Sequence, residues 1–146
     1  MNFVVKTFSQ LTTSELYGIL QLRSEVFVVE QDCVYQDIDG KDQKALHVIG
    51  TKEGKILAYT RLFDSKQYFD TPSIGRVVVS ESQRKYGYGH DLIKASIEAV
   101  HNYYKTKEIT ISAQTYLLKF YTSHGFVAFG EEYLEDGIPH VRMQKK

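Results

Sequence analysis

The segment from Ile74 to Ala113 constrains the fold more than any other part of the chain. IGRVVVS is a short β-branched strand. QRKYGYGHDLIKASI is a glycine-containing turn that runs directly into an amphipathic helix with Leu92, Ile93, Ile97 and Val100 toward the core. EITISA is a second apolar strand. A strand–helix–strand crossover of this kind is normally right-handed and makes its two strands parallel. The chain is thereby committed to an α/β sheet covered by helices.

The remaining segments extend that sheet. FVVKTF reads as a first strand, and Thr12, Thr13 or Ser14 can cap the helix that follows, with Glu15 at its positive end. Leu16, Ile19, Leu20, Arg23 and Phe27 fall on one face of that helix, Arg23 being its one non-apolar member. Glu30 to Lys44 is polar and turn-rich and reads as a loop. ALHVIGTKEGKILAYTRLF reads as a hairpin turning through Lys52 to Lys55, and LLKFYTSHGF as a short helix closed by Gly125. FVAFGEEYLEDGIPHVRMQ is a closing hairpin with Asp136 and Gly137 in the turn. The predicted order is β-α-β-β-β-α-β-α-β-β, a mixed sheet in a single domain over residues 1–146.

Composition narrows the partners. The 18 basic and 18 acidic residues cancel, which argues against sequence-independent attraction to nucleic acid or to an anionic membrane. Cys33 is the single cysteine, so no intramolecular disulfide forms, and no Cys/His cluster has zinc spacing. MNFVVKTFSQ has no long apolar run, so the expected location is cytoplasmic, with no membrane span.

The turn at Arg84–Gly89 has a chemistry of its own. A strand that passes through glycines into a helix aims free backbone N–H groups at one point, and the helix dipole favours an anion there. Gly87 and Gly89 let the backbone approach a bulky diphosphate, and Arg84 and Lys85 add positive charge. GYGHD lacks the G-K-[ST] of a P-loop, and Leu92 stands where a dinucleotide fingerprint needs a third glycine. An ordinary surface turn is the competing reading of a bare G-x-G.

The whole arrangement resembles motif A of the GNAT superfamily of N-acetyltransferases, a strand followed by R/Q-x-x-G-x-G/A and a helix, filled here by Arg84, Gly87 and Gly89. The resemblance covers essentially the full chain and implies acetyl-CoA as co-substrate. It places the pyrophosphate on the turn residues Arg84, Lys85, Tyr86, Gly87, Tyr88 and Gly89, and pantetheine along Val77, Val78 and Val79. SAQTYLLKFYTSHGF resembles motif B, which makes Tyr121 the acid that protonates the departing thiolate; a half-buried packing role is the alternative. LRSEVFVVEQDCVYQDIDGKD and EEYLEDGIPHVRM narrow the resemblance to the ElaA-type branch, which is not defined by one acceptor. Two departures stand out. The motif A strand GRVVVS lacks the carboxylate that often serves as base, and Gln114 is the nearest amide where Asn often touches pantetheine.

The other candidates concern the acceptor. From Glu30 to Asp42, the carboxylates Glu30, Asp32, Asp37, Asp39 and Asp42 face only Lys41, a patch that would recruit a cationic amine unless it is simply solvated. D-x-D-G-x-D lacks the spacing and closing Glu of an EF-hand, so no metal is expected. His47 and His140 could titrate near neutrality, or could be hydrogen-bonded structural groups. Arg23 and Arg76 are placed to pair with the loop carboxylates and shape the acceptor pocket. Cys33 belongs to no nucleophile motif. The expected activity is acetyl transfer from acetyl-CoA to a primary amine by direct attack. A noncatalytic acyl-CoA sensor is the alternative, a pure interaction module comes third, and a homodimer is one admissible assembly.

Overall fold

The structure is a computed structural model and describes residues 1–146. Its elements are β1 (Asn2–Thr7), α1 (Thr13–Arg23), β2 (Leu46–Lys52), β3 (Lys55–Phe63), β4 (Ser73–Val79), α2 (Tyr88–Tyr104), β5 (Ile109–Gln114), α3 (Leu118–Thr122), β6 (Val127–Glu135) and β7 (Ile138–Lys145). The expected order of strands and helices is the observed one.

Local chemistry explains most boundaries. Thr12 starts α1 through a reciprocal box: its hydroxyl accepts from the Glu15 amide at 3.1 Å, and Glu15 Oε1 accepts from the Thr12 amide at 2.9 Å. Both tight hairpins turn through residues with positive φ, Glu53–Gly54 and Asp136–Gly137, the conformation that a two-residue primed turn demands. After Arg23 the helix widens into π-type turns over Ser24–Glu30, with Gln31 and Cys33 amides reaching five residues back to Val26 and Val28. The helix therefore runs further than the polar composition around Glu30 suggests. Its buried face is Ile19, Leu22, Arg23, Val26 and Phe27, while Leu16 and Leu20 are only half-buried. The stripe is thus rotated from the expected one, because Leu22 and Val26 continue the i, i+3, i+4 rows from Ile19.

The sheet order is β1-β2-β3-β4-β5-β7-β6, antiparallel throughout except between β4 and β5. β7 inserts between β5 and β6, so the last hairpin closes the sheet by its second strand. Side-chain alternation along β3 separates two cores. Ala58 and Leu62 face α2 in a cluster with Leu92, Ile93, Val100 and Met143, and Tyr59 faces α1 beside Ile19, Leu22 and Phe27. The one polar pair in the α2 core is satisfied, with Thr60 Oγ1 2.7 Å from Ser96 Oγ.

Two irregularities position the site. β4 and β5 pair only at Ser73 and Thr110 and then separate, which leaves the rest of the β4 edge open. Arg76 sits in the left-handed region at φ 48°, where two β4 residues oppose Thr60 of β3. A non-glycine in that conformation inside a strand is a bulge, and it re-aims the segment that follows.

Candidate active site

The gap between β4 and β5 opens into a cleft of about 470 Å³. Ser80 gives its amide to Leu57 of β3 at 2.8 Å, so strand alternation turns the backbone groups of Val77 and Val79 to the opposite, cleft-facing edge. At the top of the cleft, residues Glu81–Tyr86 form a 3-10 turn, and Gly87 at φ 74° redirects the chain into α2. A Cβ at Gly87 would meet no atom, so glycine is needed there for its conformation and not for space. No side chain caps α2. Of the first-turn amides, His90 uses the Gly87 carbonyl at 3.1 Å, and the helix N-terminus otherwise points at the cleft with its partial positive charge.

Arg84 lies on the cleft wall and is already engaged. Its two terminal nitrogens grip Glu30 at 2.6 and 2.8 Å, and Nε donates to the Val79 carbonyl at 3.1 Å. Glu30 therefore borders the cleft beside Arg84 and Gly87 and lines no part of a second, inner cavity. Lys85, Tyr86 and Tyr88 do not line the cleft. They form an outer cluster in which Lys52 Nζ sits 4.7 Å over the Tyr86 ring and donates to the Tyr88 hydroxyl at 3.2 Å.

A second, narrower cavity of about 100 Å³ lies behind the first, and Phe27, Gln31, Val77, Gln114, Leu117 and Tyr121 border both. Tyr121 is thus at the junction. Its ring is 5% exposed and packs edge-on against Phe120 and Phe126, and no hydrogen bond is among the influences on its phenol, only burial and the nearby Tyr116. Burial, and then the nearby Tyr116 phenol, push its pKa up, so the proton stays on oxygen at neutral pH. Gln114 Oε1, which also borders both cavities, is buried without a partner. An unpaired buried acceptor is costly unless a ligand donor reaches it.

The loop carboxylates form a charge-compensated network, neither a solvated patch nor a free cationic trap. Arg23, fully buried, donates to Asp37 Oδ2 and Asp42 Oδ1 at 2.8 Å each. Arg61 grips Asp39 with two bonds of 2.8 Å and reaches Asp42 at 3.0 Å. Arg76 Nε lies 2.8 Å from Asp37 Oδ1, a charge contact whose angle misses a hydrogen bond. His47 is buried beneath this network. Asp42 O can only accept, so His47 Nε2 carries the ring proton, and Nδ1 receives the Tyr59 hydroxyl at 2.6 Å. Burial outweighs the Asp42 carbonyl contact and lowers the His47 pKa, which keeps the ring neutral. Of the acceptor candidates only Arg76 and His140 line the inner cavity, whereas Arg23, Asp37, Asp39 and His47 stand behind it. The Arg61 pairing and Ser112 on the cavity wall have no motif to mark them, and Glu135 lies in the EDGIPH block, which does not single it out. The one available signal was the alternation of EITISA, which puts Ser112 and Gln114 on one side of β5.

Residues 8–146 match the Acetyltransferase (GNAT) domain. The chain belongs to the GNAT acetyltransferase family. It is 42% identical to Protein ElaA of Escherichia coli K12 over 140 residues, covering 94% of this chain and 92% of that one. The crystal structure of Escherichia coli ElaA superposes with a TM-score of 0.93 at 39% identity over 100% of both chains. An acyl-CoA N-acyltransferase from Pseudomonas aeruginosa superposes at 0.94 with 41% identity, again over 100% of both chains. This is therefore a GNAT protein of the ElaA type, and its family and fold support acyl transfer from acyl-CoA to an acceptor in general. The cleft fits that co-substrate: free α2 amides suit a diphosphate, and the open β4 edge with the unpaired Gln114 oxygen suits a linear chain of amides. No group of three or more His, Cys, Asp and Glu side chains is placed to hold a metal ion, and no helix is long and apolar enough to cross a membrane.

Proposed function

We propose that this GNAT protein transfers an acetyl group from acetyl-CoA to a primary amine by direct attack. The observation that carries the proposal is the unbonded Tyr121 hydroxyl at the junction of a large cleft and a small inner pocket. The α2 N-terminus, with Gly87 and Gly89, holds the pyrophosphate, and Val77 to Val79 and Gln114 hold the pantetheine arm. The Val79 amide, on the cleft-facing edge of β4, polarises the thioester oxygen. Tyr121, whose phenol burial keeps protonated, gives a proton to the thiolate as the C–S bond breaks. Arg84 reaches the diphosphate by exchanging its Glu30 partner, and Lys85, Tyr86 and Tyr88 serve the outer end of the co-substrate. A cytoplasmic location is part of this reading.

Arg23, Asp37, Asp39 and His47 act on the acceptor through the wall they hold up, and Arg76 and His140 meet it directly. A noncatalytic acyl-CoA sensor would need the cleft but has no use for the inner pocket. The test is incubation with acetyl-CoA and a panel of polyamines, amino acids, aminoglycosides and short peptides, read by free thiol. Acetyl-CoA should also raise the melting temperature, because it binds only the folded state. A thermal shift with no thiol release for any amine would favour the sensor. Absence of both would remove the acyl-CoA site.

A further inference from the structure

The inner pocket holds two titratable groups to which acetyl transfer through Tyr121 gives no proton to carry. His140 on β7 and Glu135 at the end of β6 face each other across the closing hairpin, with Nε2 of the histidine 3.4 Å from Oε2 of the carboxylate. His140 Nδ1 lies 2.7 Å from the Ile138 carbonyl. A carbonyl only accepts, so Nδ1 carries a proton, and in the neutral form of the ring Nε2 is the nitrogen with the lone pair. The ring stacks on Tyr133 at 6.1 Å and 24°, which fixes its plane. Ser112 Oγ, bonded to the Tyr133 hydroxyl, lies 3.4 Å from the second Glu135 oxygen. The His140 side chain is 7% exposed and that of Glu135 is 39% exposed, so the pair runs from the pocket interior to solvent.

The same pocket has a mixed lining, with Ile74, Ile111, Leu117 and Ile138 on its apolar part beside Gln31, Ser112 and Gln114. Its one arginine, Arg76, is engaged with Asp37 and Asp39. A small pocket that offers apolar side chains to a methylene stem and a carboxylate and an imidazole to its end suits an alkyl chain bearing an ammonium group, and it repels a substrate with a carboxylate beside its amine.

Building on the acetyl-transfer reading, we propose that Glu135 and His140 receive the acceptor's ammonium group, that His140 Nε2 takes its proton, and that the acceptor is an unbranched primary alkylamine. The proton lost by R–NH3+ moves to His140 Nε2, where the Glu135 carboxylate stabilises the imidazolium and passes the charge toward solvent. The neutral amine then forms the C–N bond with the acetyl carbonyl carbon while the C–S bond breaks. The nitrogen gives up a second proton as the amide forms, which matches the one Tyr121 supplies to the thiolate and later regains. The sum is one ammonium and one thioester giving one amide, one thiol and one proton.

The probe is n-butylamine, with sec-butylamine as its branched isomer. Wild type should release thiol with n-butylamine and at least tenfold less with the isomer. His140→Asn keeps a donor for the Ile138 carbonyl but has no Nε2, and should lower kcat roughly 10²-fold. Glu135→Gln should raise the KM for n-butylamine about tenfold, with the acetyl-CoA thermal shift retained in both variants. Turnover and KM unchanged in both variants, in a wild type that acetylates the amine, would overturn this assignment and leave the acetyl-transfer reading intact. If no amine is turned over, acetyl transfer fails, and the subsite is decided by nuclear magnetic resonance of the CoA-saturated wild type. Saturable displacement of the His140 ring signals by n-butylamine, lost in Glu135→Gln, supports the subsite. Signals that do not move overturn it.

Discussion

Tyr121 combines two properties that rarely meet in one side chain: its ring is packed on aromatic neighbours, and its hydroxyl has no protein partner. Phenylalanine keeps the packing and removes only the donor. Tyr121→Phe should therefore lower kcat by roughly 10²-fold or more, with acetyl-CoA affinity and melting temperature close to wild type. Near-normal turnover under conditions where chemistry limits the rate would take the acid role away from Tyr121. The glycines of the turn differ from one another in the same local way. Gly87 is required by its positive φ, whereas a Cβ at Gly89 would rest 3.6 Å from Phe120, an ordinary contact. Gly89→Asp should therefore fold, yet it places an anion against the α2 amides and should abolish the thermal shift by acetyl-CoA. Equal shifts in the mutant and wild type would remove the diphosphate assignment.

At the scale of elements, α1 and its π-type extension tie the site to the sheet. One face of this helix packs Ile19 and Leu22 on Tyr59 of β3, and its end delivers Phe27 and Glu30 to the cleft. The start of the helix rests on the Thr12–Glu15 box, both bonds of which are formed. Thr12→Ala should cost about 1 kcal/mol in denaturant unfolding, the usual scale for a lost N-cap, with thiol release unchanged because the cap is remote from the cleft. A cost indistinguishable from zero would mean that packing on the sheet, and not the cap, holds the helix end.

The whole molecule is held at one end by three arginines, Arg23, Arg61 and Arg76, set against Asp37, Asp39 and Asp42. Burial raises the Asp39 carboxyl, but the Arg61 guanidinium outweighs it and brings the pKa down to about 2; Asp42, between Arg23 and Arg61, is lowered for the same reasons. A folded-state pKa below the unfolded one gives stability that is complete above the ordinary carboxylate range and is lost as pH falls toward about 2. His47 acts in the same direction at higher pH, since burial depresses its pKa and the ring must charge once the chain unfolds below roughly pH 6.5. The melting temperature should therefore decline in two stages on acidification, first below about pH 6.5 and again below about pH 4. Asp39→Asn should shrink the second stage and lower the melting temperature at pH 7. Since Asp39 lines neither cavity, its effect on the acceptor KM should be the smaller one. A pH-independent melting temperature from 7 to 3 would exclude the network as a source of stability.

Features that depend only on neighbours along the chain are legible in the sequence. Strand and helix periods, the capping Thr12, the Glu53–Gly54 and Asp136–Gly137 turns and the glycine entry to α2 are short-range effects of backbone sterics and hydrogen bonding, and each is legible from a few adjacent residues. Tertiary structure alone decided the pairings between distant segments. It placed β7 between β5 and β6, parted β4 from β5 and raised the bulge at Arg76. It also brought Glu30 to Arg84 across 54 residues and neutralised an acidic loop that looks unpaired in sequence. A side chain's charge is local information, but its partner and its burial are not. For ionisable groups those two quantities fix whether the residue braces the fold or meets the substrate.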